Sequence, residues 1–139
     1  MKKSKYVIVV GCGRLGALLA DHLSRQGHSV VAVDRDESVF EELSPEFTGF
    51  KLQGDASRVS VLRQAKIEKA DIVIATTRND NVNLMVVQMA KNIFNVPRVL
   101  ARLYDPKREE MYGDMAIEMV CPVRVASERF IELLDQGED

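Results

Sequence analysis

Histidine and cysteine, the side chains most used for acid–base, thiol and metal chemistry, are nearly absent: this chain of 139 residues has two of each. His22 falls on the buried or half-buried side of a first helix and His28 in a turn, so neither is placed to shuttle protons. Cys12 and Cys121 form no metal-type pair, and two scattered thiols suit a reducing compartment. A Tyr-x-x-x-Lys pair, a nucleophile elbow and a metal-ligand cluster are also missing. No apolar run approaches the roughly 20 residues of a membrane-spanning helix. An excess of charge of one sign is lacking too. With 19 Lys and Arg against 21 Asp and Glu, the formal net charge is -2 and no dense basic tract occurs. That balance excludes general affinity for nucleic acid and confines any phosphate contacts to local sites.

What is present is a chain with 46% apolar residues, long enough to close a three-layer α/β core as a single domain over 1–139. Its basic start, Met1-Lys2-Lys3-Ser4-Lys5, resembles the first part of a signal peptide, but the apolar run that follows is broken at once by Gly11 and Arg14. The expected location is therefore the cytoplasm.

Apolar, β-rich runs alternate with helical segments, the pattern of βαβ units around a parallel sheet buried on both faces. Strands are predicted at Tyr6–Val10, 29–33, Phe50–Gln53, Ile72–Ala75, Arg98–Arg102 and 118–121. Helices are predicted at Arg14–Arg25, 37–43, 59–65, 81–94, from Asp105-Pro106 onward, and at 124–134. The expected fold is α/β: a Rossmann-like, doubly wound, mostly parallel six-stranded sheet with helices on both faces. In the first helix Leu15, Leu18, Leu19, His22 and Leu23 recur at helical spacing. The segment 81–94 reads as the longest helix, and Leu84, Met85, Val86, Val87, Met89, Ala90, Ile93 and Phe94 cover more than one stripe of it. A second buried face, and hence an oligomer, is expected there.

The first strand runs into Gly11-Cys12-Gly13-Arg14-Leu15-Gly16, a Gly-x-Gly-x-x-Gly loop opening a helix, and the second ends at Asp34. That arrangement is the dinucleotide-binding fingerprint. Gly11 permits the tight turn, Gly13 lets backbone approach a pyrophosphate, and Gly16 lets helix and sheet close up. The helix N-terminus offers free N–H groups to phosphate. Asp34 can accept from both ribose hydroxyls and would repel a 2′-phosphate, which favours NAD, ADP or ATP over NADP. Arg35 either meets a phosphate, stacks on adenine, or stays a solvated charge. Gly54-Asp55-Ala56 follows the third strand, where Asp55 either accepts from the adenine amino group or caps the segment from Ser57. Ala75-Thr76-Thr77 follows the fourth strand, across the switch point. At least one of Asn79, Asp80, Asn81 and Asn83 is a helix cap. Arg14 and Arg102 each read as a phosphate contact or a surface ion pair. Cys12 reads as a small packing residue ahead of a redox sensor.

Together, Val9 to Gly16, Val33-Asp34, Gly54-Asp55-Ala56, Ala75-Thr76-Thr77 with Asp80 and Asn83, and Ala101-Arg102 resemble the nucleotide-binding lobe of RCK/KTN domains, which regulate potassium uptake systems and channels. The resemblance spans the chain from about Tyr6 to the last helix. It implies a cytosolic regulatory subunit, peripheral to the inner face of the cell membrane, that binds NAD(H) or ATP/ADP. It also implies assembly through dimers into a ring, and association with a membrane potassium-transporting subunit. In such relatives the residue at the position of Arg14 can reach nucleotide in a neighbouring subunit. By the same resemblance the cofactor-binding set is Gly11, Cys12, Gly13, Arg14, Leu15, Gly16, Asp34, Arg35, Gly54, Asp55, Ala56, Ala75, Thr76, Thr77, Asn81 and Arg102.

Two features depart from the pattern. Many relatives carry glutamate after the proline that follows the sixth strand, whereas Pro122 is followed by Val123, so no metal is expected. Relatives often continue into a C-terminal ligand lobe, which is expected to be absent here or supplied by another polypeptide. The expectation is a regulator without catalysis of its own. The competing readings are a small NAD-dependent oxidoreductase and a nucleotide or redox sensor unrelated to potassium.

Overall fold

The computed structural model describes residues 3–113 and 116–137; Met1 and Lys2 of the basic start lie outside the described residues. Six strands, β1 (Tyr6–Val10), β2 (Ser29–Asp34), β3 (Phe50–Gln53), β4 (Ile72–Ala75), β5 (Arg98–Arg102) and β6 (Glu118–Val120), form one sheet in the order β3-β2-β1-β4-β5-β6. Every pairing is parallel, from Val7 opposite both Val30 and Ile72 to Arg102 opposite Val120. The expected "mostly parallel" sheet is thus wholly parallel. Chain order reverses between β1 and β4, which opens a crevice at the carboxyl ends of these strands.

Two-residue alternation divides the central strands between two cores. Ile8, Val10, Val31, Val33 and Val73 face Leu62, Ile67, Val86, Val87 and Ala90, contributed by α2 (Val59–Gln64), a 3₁₀ turn (Ile67–Lys69) and α3 (Asp80–Asn92). Val7, Val9, Val30 and Ala32 face Ala17, Ala20, Leu23, Phe40 and Leu43, contributed by α1 (Arg14–Arg25) and the segment after β2. Ile8, Val10, Val33 and Val73 are almost wholly buried. Each such side chain contributes about 1.5–3 kcal/mol relative to exposure. The sheet is therefore covered on both faces, as the continuous apolar strands require.

Several boundaries and faces differ from expectation. The segment 37–43 is a 3₁₀ helix over Glu37–Glu42, begun by Asp36, whose side chain accepts from the Ser38 N–H, and ended by Leu43 in extended geometry before Pro45. Helix α1 turns Gly16, Ala17, Ala20 and Leu23 inward, so that of the predicted stripe Leu23 is buried, Leu15 and Leu19 are half-buried and the rest face out. Leu18 is 68% exposed and His22 is exposed, because small residues allow the closest approach of helix to sheet. Helix α3 ends at Asn92, before Ile93 and Phe94. It is shorter than α5 (Pro122–Gln136), which has 15 residues against 13. Leu84, Val86, Val87 and Ala90 are all buried within this chain, while Met85 and, just past the helix end, Ile93 are exposed. Strand β6 stops at Val120 because Cys121 becomes the N-cap of α5. Pro122, lacking an N–H, occupies the first turn, where none is needed.

None of the fifteen residues of α5 is buried. Val125, Phe130, Ile131 and Leu134 are 57%, 68%, 56% and 71% exposed. Its tie to α4 (Pro106–Met111) is the Arg124–Glu109 ion pair at 2.6 Å.

Candidate nucleotide-binding cleft

The crevice between β1 and β4 is an open cleft of about 970 Å³, near the upper end of small-molecule sites. Its floor is the glycine loop. Gly11 sits at φ +94°, and a Cβ there would stand 2.6 Å from the Thr77 nitrogen, so only glycine fits between β1 and the β4 loop. At Gly16 a Cβ would collide with the Gly11 carbonyl oxygen and stand 2.8 Å from Thr76 Oγ1. Gly13 is different: nothing lies within 4 Å of its Cβ position. It is the N-cap of α1 with no side-chain cap, so the helix presents its first N–H groups to the cleft.

Asp34 closes β2 beside that loop. Its Oδ2 accepts the Cys12 N–H at 2.9 Å and its Oδ1 accepts the Asp36 N–H at 2.9 Å. The carboxylate is thereby fixed at the cleft, with lone pairs left for ribose hydroxyls. Asp55 settles as a turn residue: Oδ1 accepts from the Ser57 N–H at 2.9 Å and hydroxyl at 2.7 Å. Those bonds, aided by Arg35 and Arg58, hold its carboxyl below the usual range.

On the β4 side, the Thr76 hydroxyl donates to the Gly11 carbonyl at 2.9 Å, which locks the two loops together. Asn83, fully buried, organises the rest. Its Oδ1 accepts from the Thr77 N–H (2.9 Å) and hydroxyl (2.6 Å), and its Nδ2 donates to the carbonyls of Thr77 (3.0 Å) and Arg102 (2.9 Å). Arg102 makes no ion pair among the described residues. Its Nη2 donates to the Thr77 carbonyl and the Tyr104 hydroxyl, each at 2.8 Å, and the guanidinium lies 4.5 Å from the Tyr104 ring centroid. Its Nε is buried with no acceptor.

Gly11, Gly13, Arg14, Leu15, Asp34, Arg35, Gly54, Asp55, Ala56, Thr76, Thr77 and Arg102 all line the cleft. Cys12, Gly16, Ala75 and Asn81 do not. Cys12 and Ala75 are wholly buried behind it. Burial first, then Asp34 and Asp21, push the Cys12 thiol up to about 11, which suits packing and not redox sensing. Asn81 is exposed and its Oδ1 accepts from Arg108, in a depression that adjoins the cleft through Arg78, Asn79 and Tyr104; the helix period turns it away and turns Asn83 inward. Asn79 is the N-cap of α3, its side chain accepting from the Val82 N–H at 3.1 Å. Lining residues not foreseen are Asp36, Ser38, Val39, Glu42, Arg78, Val82 and Tyr104. Arg78 directly follows Thr76-Thr77, so its place on the β4 loop was the available signal.

The set fits an adenine nucleotide: an uncapped helix N-terminus for phosphate, a fixed carboxylate for ribose, and a buried guanidinium N–H that no protein atom satisfies. A doubly wound parallel sheet with this loop at its switch point defines the Rossmann-type nucleotide-binding class. Within that class, the profile of the TrkA-N domain matches residues 7–122, and the chain belongs to the TrkA-N domain family. The Trk system potassium uptake protein TrkA of Streptomyces coelicolor is 36% identical over 129 residues, covering 93% of this chain and 58% of that protein. The chain spans about half the length of the curated relatives it matches. Two solved structures align along most of it. GsuK bound to ADP has a TM-score of 0.80 and 25% identity, covering 96% of this chain and 35% of that one. The GsuK channel bound to NAD has a TM-score of 0.79 and 26% identity, covering 96% and 24%.

Proposed function

We propose that this chain is the nucleotide-sensing part of a regulator of potassium uptake, binding NAD(H) or ATP/ADP in the β1–β4 cleft and performing no catalysis of its own. The observation that carries the reading is Asp34 and the uncapped N-terminus of α1 sharing one cleft, joined by the Cys12 N–H. The relative's name, potassium uptake protein, and the ADP and NAD bound to GsuK support it. No histidine lines the cleft, and its one tyrosine is bonded to Arg102.

The assignment includes a cytoplasmic site of action beside a membrane potassium-transporting subunit, and self-association of copies of this chain towards a ring. Support for self-association comes from α5, whose Phe130, Ile131 and Leu134 stand in solvent on a helix that buries nothing. Nucleotide acts by population shift: it moves the transporter only as far as its affinities for two assembly shapes differ. The test is rubidium uptake by cells carrying the chain or its Asp34→Ala variant at equal abundance. Uptake that follows cellular nucleotide levels with the first and not with the second supports the proposal. Uptake that is the same with both contradicts it.

A further inference from the structure

Three segments meet at the amino ends of β1, β2 and β4, on the edge of the sheet opposite the cleft. The lead into β1 is tied to the turn between α1 and β2: the Ser4 hydroxyl donates to the Gly27 carbonyl at 3.0 Å, and the Lys5 N–H donates to His28 Nδ1 at 2.9 Å. It is tied equally to the segment before β4. The Tyr6 hydroxyl donates to the Ala65 carbonyl at 2.6 Å, and the Tyr6 N–H donates to the Asp71 carboxylate at 2.8 Å. Fully buried Ile67 pins that segment from within, which leaves Lys66, Glu68 and Lys69 exposed around it. These bonds gather Lys3, Lys5, Lys66 and Lys69, two pairs some sixty positions apart in the chain, onto one edge. No side chain of the four makes a hydrogen bond or ion pair among the described residues. Arg25 and Arg63 flank them, but these close the last turns of α1 and α2, where a cation complements the helix dipole. Lys3 and Lys5 belong to no helix, and Lys66 stands at φ +60° ahead of the 3₁₀ turn that Lys69 ends. The carboxylates within these segments are Glu68 and Asp71, and Asp71 is engaged by backbone. Beside them Arg98 and Glu118 neutralise each other at 2.7 Å.

We infer that this lysine edge docks on the anionic headgroups of a phospholipid bilayer; the inference rests on the membrane-side location proposed above, not on what fills the cleft. An ammonium is a compact, strongly hydrated charge on a flexible stem, with no fixed fork to match a shaped pocket. Four of them side by side suit a plane of mobile phosphates. Each lysine brought to an anionic leaflet raises partition about fivefold. The cytoplasmic loops of membrane proteins carry an excess of Lys and Arg and would repel this edge, so lipid, and not a transporter loop, is its occupant. With the whole chain at a formal charge of -2, the attraction falls on this edge and sets an orientation. The cleft, at the opposite ends of the strands, then faces away from the bilayer and stays open to nucleotide. The sequence hides the patch because no dense basic tract forms it; the parallel register does.

The experiment is sedimentation of the full chain with vesicles of phosphatidylcholine alone or with about 30% phosphatidylglycerol, at low salt and in about 0.5 M potassium chloride. The chain should pellet with the anionic vesicles at low salt, and neither with neutral vesicles nor in high salt. Lys3→Glu/Lys69→Glu should bind the anionic vesicles at least about tenfold more weakly. Lys51→Glu/Lys107→Glu, which makes the same change of net charge at exposed positions on β3 and α4, should stay within about twofold of the parent, with circular dichroism confirming both folds. No binding to anionic vesicles, equal binding to neutral ones, or an equal loss in both double variants overturns the inference. Binding to polyglutamate that depends on Lys3 and Lys69, without binding to vesicles, assigns the edge to an acidic peptide and overturns it too. ADP titration of the same chain reports on the nucleotide reading separately, so that reading survives a failure here.

Discussion

One methyl group, added at Gly13 or at Gly16, separates the binding role of the glycine loop from its packing role. At Gly13 the backbone is extended at φ -69°, a conformation any residue adopts, and the added carbon meets nothing within 4 Å. Alanine is a poorer N-cap than glycine by about 0.5–1 kcal/mol, and the loss of unfolded-state freedom returns about 0.4–1 kcal/mol. The net change in stability of Gly13→Ala is near zero. The methyl nevertheless stands in open space at the cleft lining, where a phosphate approaching the start of α1 must pass. Forfeiting one charge-assisted bond there, about 1.5–3 kcal/mol, weakens nucleotide at least about tenfold. Gly16→Ala should do the reverse. Its Cβ collides with the Gly11 carbonyl and crowds Thr76 Oγ1 at 2.8 Å, so α1 must back away from β1. That overpacking costs about 3 kcal/mol, which lowers a urea midpoint by about 1–2 M. Urea denaturation and ADP titration on both variants decide the matter. Unchanged ADP affinity in Gly13→Ala, or an unchanged urea midpoint in Gly16→Ala, would refute the reasoning.

Asn83→Leu removes a buried amide holding Thr77 and Arg102, takes the acceptor from the Thr77 N–H and a donor from the Arg102 carbonyl, and should cost about 3 kcal/mol in thermal or urea unfolding. Cys12, with its thiol raised to about 11, keeps its proton in the folded chain where the unfolded chain ionises near 9.0. Stability is therefore fully present below the unfolded value and falls as pH rises from about 9 toward about 11, a decline that Cys12→Ala should reduce. Native Cys12 should also resist iodoacetamide at pH 8 (labelling there mapped by mass spectrometry) and react fast in urea. For α5, sedimentation should show association of the parent chain at high concentration and a monomer for Phe130→Glu/Leu134→Glu; a monomeric parent counts against assembly through this helix.

Strand positions and the first loop were legible because both are dictated locally. A buried parallel strand must be apolar throughout, and Gly11 and Gly16 occupy places where a Cβ has no room. Faces of helices were less so. The inward side of α1 is set by how closely backbone can approach backbone, which favours Ala17 and Ala20 over the more hydrophobic Leu18. The sequence named both Asn81 and Asn83 without separating them: only the phase of α3, fixed by the Asn79 cap and the burial of Leu84 and Val87, decides which amide turns inward. Tyr104 escaped notice because its role depends on Arg102 stacking two residues earlier and on Asp80 anchoring its backbone from another helix. Such cross-element contacts leave no periodic trace in sequence. The over-apolar look of α3 had a simple cause as well, since Leu84, Val86, Val87 and Ala90 are all buried inside the chain, whereas the apolar residues of α5 are exposed.

The central claim is that Asp34 and the α1 N-terminus together grip the ribose and phosphates of an adenine nucleotide. Calorimetric titration of ADP into the parent chain and into Asp34→Ala tests it most directly. The account predicts saturable heat with one site per chain for the parent and at least about a tenfold loss of affinity for the variant, which keeps its fold but forfeits the bonds to ribose. An Asp34→Ala chain that binds ADP as the parent does, or a folded parent that binds none, contradicts it.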